Sequence, residues 1–161
     1  NDYCLVTIHR PSNVDNIGSL NRMVQILNKM AERIPIIFPI HPRTRTRINQ
    51  NEIKIKGDIQ LSDPLPYLEF LGLLAKAQLV VTDSGGLQKE AFFFNKNCVT
   101  LRDETEWVEL VDEGACFIAG AEKDVILTLV NDLLGKESDY SQQLYGNGDA
   151  SSIIVEELMA T

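Results

Sequence analysis

Short apolar runs alternate with longer stretches in which apolar residues recur every three or four positions. Residues 3–8, 35–40, 59–61, 79–82, 97–101 and 115–118 read as strands. Residues 16–32 carry Ile17, Leu20, Val24, Leu27 and Met30 at the spacing of an amphipathic helix. A short polar helix is predicted over 44–49, and a helix over 66–76 with Leu68, Leu71, Leu74 and Ala75 on one side. Further helices are predicted over 87–94, 123–134 and 151–158, the last set off by the helix-breaking run Tyr145-Gly146-Asn147-Gly148-Asp149. Phe92, Phe93 and Phe94, and the methionines Met23, Met30 and Met159, read as packing residues.

Strand, loop and helix thus repeat along the whole chain. That order predicts an α/β fold: a doubly wound, Rossmann-like parallel sheet covered by helices on both faces. The strands are uninterrupted apolar runs rather than alternating ones, as strands buried on both faces should be. Residues 1–161 are read as one domain.

Composition narrows the function classes. The chain has 15 basic and 23 acidic residues, a net charge of -8, and 44% hydrophobic residues. Such a field repels a phosphate-rich polymer, so nucleic-acid binding is not expected, although a small anion can still bind in a local basic site. Cys4, Cys98 and Cys116 are odd in number and lie in apolar runs, which predicts buried, reduced thiols and a cytoplasmic protein. No Cys/His spacing predicts a metal site. No apolar run is long enough to cross a membrane. The chain opens inside a strand-like run, so a preceding segment is expected.

In a doubly wound sheet, ligands bind beyond the C-terminal ends of the strands. There the sequence places His9-Arg10, His41-Pro42-Arg43, Asp83-Ser84-Gly85-Gly86 and the charged run Arg102-Asp103-Glu104-Thr105-Glu106. Ser84, Gly85 and Gly86 join a strand to a helix, whose first N–H groups suit phosphate oxygens. The same residues also suit a simple helix cap. His9 and His41, the two histidines, follow successive strands. Either can be structural, but two at one edge can donate to an anionic leaving group or move protons. Arg10, Arg43 and Arg102 make that edge basic unless each pairs with a carboxylate. Phe70 is either a core residue or an aromatic covering a base.

Five motifs carry a family resemblance. They are Thr7-Ile8-His9-Arg10-Pro11-Ser12-Asn13-Val14-Asp15-Asn16, Pro39-Ile40-His41-Pro42-Arg43, Thr82-Asp83-Ser84-Gly85-Gly86-Leu87-Gln88-Lys89-Glu90-Ala91, Leu101-Arg102-Asp103-Glu104-Thr105-Glu106 and Tyr145-Gly146-Asn147-Gly148-Asp149-Ala150. In that order they resemble the non-hydrolysing UDP-N-acetylglucosamine 2-epimerases, from end to end of the chain. The resemblance implies the C-terminal, nucleotide-sugar-binding half of a glycosyltransferase-B type fold. The N-terminal domain, with its essential acidic residues, then lies outside this chain.

The implied reaction inverts carbon 2 of a UDP-2-acetamido sugar by eliminating UDP and adding it back, as in forming UDP-ManNAc from UDP-GlcNAc for cell-surface polysaccharide. No cofactor is implied. The implied partners are the UDP-sugar, the absent domain and a second copy in a homodimer, with neither nucleic acid nor membrane.

By the same resemblance His9 is catalytic, facing the diphosphate and the leaving oxygen. Ser84, Gly85 and Gly86 hold the diphosphate, Glu90 the ribose hydroxyls and Phe70 the uracil. Arg10 and His41 line the cleft, where bacterial members also bind a second, activating sugar nucleotide. Arg102 and Glu106 complete the substrate-binding set.

Ser12 stands where the family usually has Glu, Lys89 where Glu is common, and Trp107-Val108 where many members have Arg-Pro. The last variant resembles relatives that act on diacetamido-uronic acid sugar nucleotides, or archaeal members. A hydrolysing epimerase, another glycosyltransferase-B relative and a non-catalytic nucleotide-sugar-binding module remain alternatives.

Overall fold

A computed structural model describes residues 2–138, 140 and 144–160. The strands are β1 (Cys4–Thr7), β2 (Ile36–Pro39), β3 (Ile59–Ser62), β4 (Leu79–Thr82), β5 (Cys98–Thr100) and β6 (Cys116–Ile118). They form one parallel sheet in the order β3-β2-β1-β4-β5-β6. The helices are α1 (Pro11–Val14), α2 (Ile17–Met30), α3 (Pro42–Gln50), α4 (Tyr67–Lys76), α5 (Gly85–Phe93), α6 (Val108–Asp112), α7 (Lys123–Leu133) and α8 (Ala150–Met159). The doubly wound, Rossmann-like parallel sheet expected from the chain is therefore present.

Alternate strand residues feed two separate cores, because successive side chains of a strand point to opposite faces. Cys4, Val6, Phe38, Val81 and Val99 pack with α2 and α7 residues such as Leu27, Met30, Ile126 and Val130. Leu5, Val80, Cys98 and Cys116 pack on the other face with Leu74, Leu87, Ala91, Phe92 and Leu110 from α4, α5 and α6. The three cysteines are free and buried, as expected.

The chain leaves β1 in one direction, towards β2 and β3, and later returns to place β4 on its other side. The crevice beyond β1 and β4 is the switch point where such folds bind ligands. In-register pairing from Cys4↔Leu79 to Thr7↔Thr82 brings both strands to that edge together. There the two threonine hydroxyls share a 2.6 Å hydrogen bond.

Several expectations need correction. On α4 the buried face is centred on Leu74, whereas Leu68 is 79% exposed and Ala75 is exposed. The helix is apolar nearly all round, so spacing alone did not select its buried face. Phe93 is exposed beside buried Phe92. Met159 is 82% exposed and does not pack, and no residue of α8 is buried. Among the described residues no helix is long and apolar enough to cross a membrane.

Candidate functional site

The switch point opens into a cavity of about 370 Å³. Residues from four strand ends and two helices line it, among them His9, His41, Phe70, Ser84, Gly86 and Glu90. These are six of the residues expected at the site from the sequence. Phe70 packs on the second core and also faces the cavity.

Asp83 organises the β1 side of the site. It is fully buried, yet its carboxylate accepts from the backbone N–H of His9 at 3.1 Å and of Arg10 at 2.9 Å, and from the Asn13 amide at 3.0 Å. Burial of such a group without partners would be costly. Here the loop after β1 supplies them, and α1 begins at Pro11 directly beyond. His9 Nδ1 lies 3.2 Å from Asp83 Oδ1, which leaves Nε2 for the cavity. Asn13 also donates to the Leu101 carbonyl, tying the ends of β1, β4 and β5 together.

Helix α5 starts at the cavity. Its N-cap, Ser84, makes no side-chain cap bond, so the simple-cap reading of this serine fails and its hydroxyl is uncommitted to the helix. The Ser84 N–H donates to Thr82 Oγ1 at 2.9 Å. The next N–H groups have no intrahelical acceptor, as at any helix start, and carry the positive end of the helix dipole. Glu90, one turn further along, faces the cavity beside Tyr67. Its charge and hydrogen bonding push the Tyr67 phenol above its ordinary value.

His41 serves first as a cap: its Nδ1 accepts from the Arg43 N–H that opens α3. The ring remains exposed and lines the cavity.

Four expected residues lie beside the cavity rather than in its wall. Gly85 is buried, and a Cβ there would collide with the Glu106 carboxylate. Glu106 pairs with Arg102 at 2.7 Å. Its carboxyl is held below the usual range by its own backbone N–H and then by Arg102, with partial burial opposing. Arg10 donates from Nε to the Asp83 carbonyl at 3.3 Å. Arg10, Asn13, Arg102 and Asp103 line a neighbouring cavity of about 490 Å³.

The expected basic edge is thus largely neutralised: Arg43 pairs with Asp15 at 2.6 Å and Arg102 with Glu106. Among the described residues no carboxylate lies within salt-bridge distance of Arg10, and no group of three His, Cys, Asp or Glu side chains could hold a metal ion.

The sequence places Asp83 and Thr105 at this edge and holds Asn13 and Gln88 within its motifs, but it assigns no role to any of these or to Trp107. The signal for Asp83 was present: a lone carboxylate directly after the buried strand β4, whose first three residues are apolar. The Trp107 indole donates to the Gly85 carbonyl at 2.9 Å, so the loop after β5 is fastened to the first turn of α5.

The family model described as UDP-N-acetylglucosamine 2-epimerase matches residues 1–159. The chain belongs to this epimerase family. A UDP-2,3-diacetamido-2,3-dideoxy-D-glucuronate 2-epimerase of Pseudomonas aeruginosa is 47% identical over 97% of the chain. A UDP-N-acetylglucosamine 2-epimerase of Methanococcus maripaludis is 40% identical over 95% of it. The structure superposes on the Methanocaldococcus jannaschii UDP-GlcNAc 2-epimerase, crystallised in complex with UDP-GlcNAc and UDP. That match has a TM-score of 0.89 and 38% identity, and covers 100% of this chain and 46% of the other. The chain spans 44% and 43% of the two curated epimerases, and corresponds to the C-terminal half of their glycosyltransferase-B type fold.

Proposed function

We propose that this chain is the UDP-binding half of an enzyme that epimerises carbon 2 of a UDP-2-acetamido sugar. One observation carries the reading: Ser84 and Gly86 at the start of α5, the His9 ring and Glu90 converge on a single cavity at the switch point. A diphosphate suits the helix start. The Glu90 carboxylate suits a pair of ribose hydroxyls, and the Phe70 ring suits a flat base. His41 and Arg10 then border the ligand. Arg102 and Glu106, also expected in the substrate-binding set, border the α5 turn as an ion pair with the Glu106 carboxylate against Gly85.

In this reading a base removes the carbon 2 proton and that electron pair forms the carbon 1–carbon 2 double bond. The carbon 1–oxygen bond breaks and UDP departs. Re-addition of UDP with protonation from the opposite face inverts the centre, and the sequence is redox-neutral. Negative charge gathers on the diphosphate as the bond breaks, so the α5 N–H groups and His9 stabilise the transition state more than the ground state. Asp83 keeps the imidazole oriented for that task.

A preceding α/β domain is proposed to supply the acidic groups that move the carbon 2 proton. The buried, unpaired thiols support a reducing, cytoplasmic setting. A homodimer of the complete protein rests on the family resemblance.

The test is direct. Calorimetry on this chain with UDP, pyrophosphate and uridine should show binding of UDP and, more weakly, of pyrophosphate. The complete protein in deuterated water should place deuterium at carbon 2 of the UDP-sugar, read by proton NMR. Release of free sugar instead would identify a hydrolase, and absence of UDP binding would overturn the reading.

A further inference from the structure

Beneath the first turn of α5 lies an amide that the reaction above does not use. Gln88 is 1% exposed. Its Nε2 donates to the Ser84 carbonyl at 3.3 Å, and its Oε1 accepts from the Thr105 hydroxyl at 2.6 Å and from the Cys116 thiol at 3.5 Å. The Thr105 oxygen also accepts the Trp107 backbone N–H at 3.2 Å. A backbone carbonyl can only accept, so the end of the amide that faces Ser84 is the NH₂ end. The other end is then Oε1, and the Thr105 hydroxyl, whose oxygen already takes the Trp107 N–H, gives its proton there.

The Ser84 carbonyl and the Gly85 N–H belong to one rigid, planar peptide. Drawing the carbonyl inward turns the N–H outward, along the direction in which the helix start offers donors to an anion. Three further contacts steady the same turn: Thr82 Oγ1 takes the Ser84 N–H, Trp107 bonds the Gly85 carbonyl, and the Glu106 carboxylate packs against the Gly85 Cα. These hold its position. Among the described residues, Gln88 is the side chain bonded to the carbonyl of the peptide that presents the Gly85 N–H.

We infer that Gln88 is a positioning residue for the diphosphate: it fixes the Ser84–Gly85 peptide plane, and Thr105 fixes Gln88. The inference rests on the functional reading above and deepens it. It assigns specificity for the phosphates, rather than for base or ribose, to a side chain that touches no ligand.

The experiment uses the complete protein that contains this chain, with UDP, inorganic pyrophosphate and uridine as probes in calorimetry, and melting temperature as a folding control. Gln88→Leu keeps the volume and removes the donor. It should weaken pyrophosphate and UDP by about tenfold and leave uridine unchanged. Thr105→Val should give a smaller loss of the same selectivity, and Thr105→Ser should restore the parent affinity. The Gln88→Leu/Thr105→Val double variant should bind as Gln88→Leu does, because both act through one amide.

Equal losses for uridine and pyrophosphate, unchanged pyrophosphate affinity, or additive losses in the double variant would overturn the inference. If Gln88→Leu does not fold, the Thr105→Val and Thr105→Ser pair decides alone, and undiminished pyrophosphate binding by Thr105→Val overturns it. Failure of the parent protein to bind either UDP or pyrophosphate would overturn the functional reading and this inference with it. Intact parent binding with an insensitive Gln88 overturns the inference only.

Discussion

The His9 imidazole and the Asp83 carboxylate face each other at 3.2 Å, although 74 residues separate them. One comes from the loop after β1 and the other from the end of β4, and the switch point is where these strands lie side by side. The carboxylate is fully buried and the ring is half exposed, so the pair has a fixed end and a working end.

Asp83→Asn replaces an acceptor of several bonds with a group whose NH₂ must face other donors. We expect a loss of about 1–3 kcal/mol in stability, measured by denaturant unfolding. We also expect turnover of the complete protein to fall by about a hundredfold per folded molecule. His9→Ala should cost about a hundred- to a thousandfold in turnover with a small change in KM. A destabilised His9→Ala protein with near-normal turnover would reduce this histidine to a structural role.

Glu90→Gln should weaken UDP and spare pyrophosphate. A carboxylate that accepts from ribose hydroxyls contributes roughly 1.5–3 kcal/mol per charge-assisted bond. The same substitution removes the negative charge that holds the Tyr67 phenol up. The Tyr67 pKa should therefore drop toward its ordinary 10.0, read by alkaline ultraviolet titration against Tyr67→Phe.

Gly85→Ala should destabilise by about 1–3 kcal/mol through overpacking against Glu106. Adding Glu106→Ala should recover most of the loss, because the clash is with that side chain. Gly86→Ala is the control: nothing stands within 4 Å of its added Cβ, and the fold should be unaffected. Thermal melts of the four proteins decide this, and a Gly85→Ala penalty that persists without Glu106 would place its cause in the backbone.

The pH dependence of the Arg102–Glu106 pair has a definite sign. The Glu106 carboxyl is lowered in the folded protein, first by its own backbone N–H and then by Arg102. Its stabilisation is therefore complete above the unfolded carboxylate value of about 4.3 and is lost as pH falls through the lowered folded value. The pair is partly exposed, so its size is under about 1 kcal/mol. Unfolding free energies of the parent and Glu106→Gln should differ by that amount at pH 7 and converge once the pH has fallen below the lowered folded value. A gap that widens in acid would contradict the assignment.

The sequence by itself determined the six strands, the main helices and the sheet edge at which chemistry is placed. Buried parallel strands must be apolar on both faces, so β4 is readable as an unbroken Leu79–Thr82 run. Helices such as α2 repeat their apolar side every turn, and Asn16 caps that helix by accepting from the Ser19 N–H as a local bond. These signals lie between neighbours a few residues apart.

Tertiary structure alone decided the rest. Helices α1 and α6, of 4 and 5 residues, are too short to show a period. On α4, apolar residues all round left the sheet to choose Leu74 for burial and to turn Phe70 toward the cavity. The partners of Asp83, the Glu106 carboxylate against Gly85 and the Thr105–Gln88–Ser84 chain depend on which strand ends become neighbours. That order is set by packing two helical layers on one sheet, and a local pattern of side chains does not encode it.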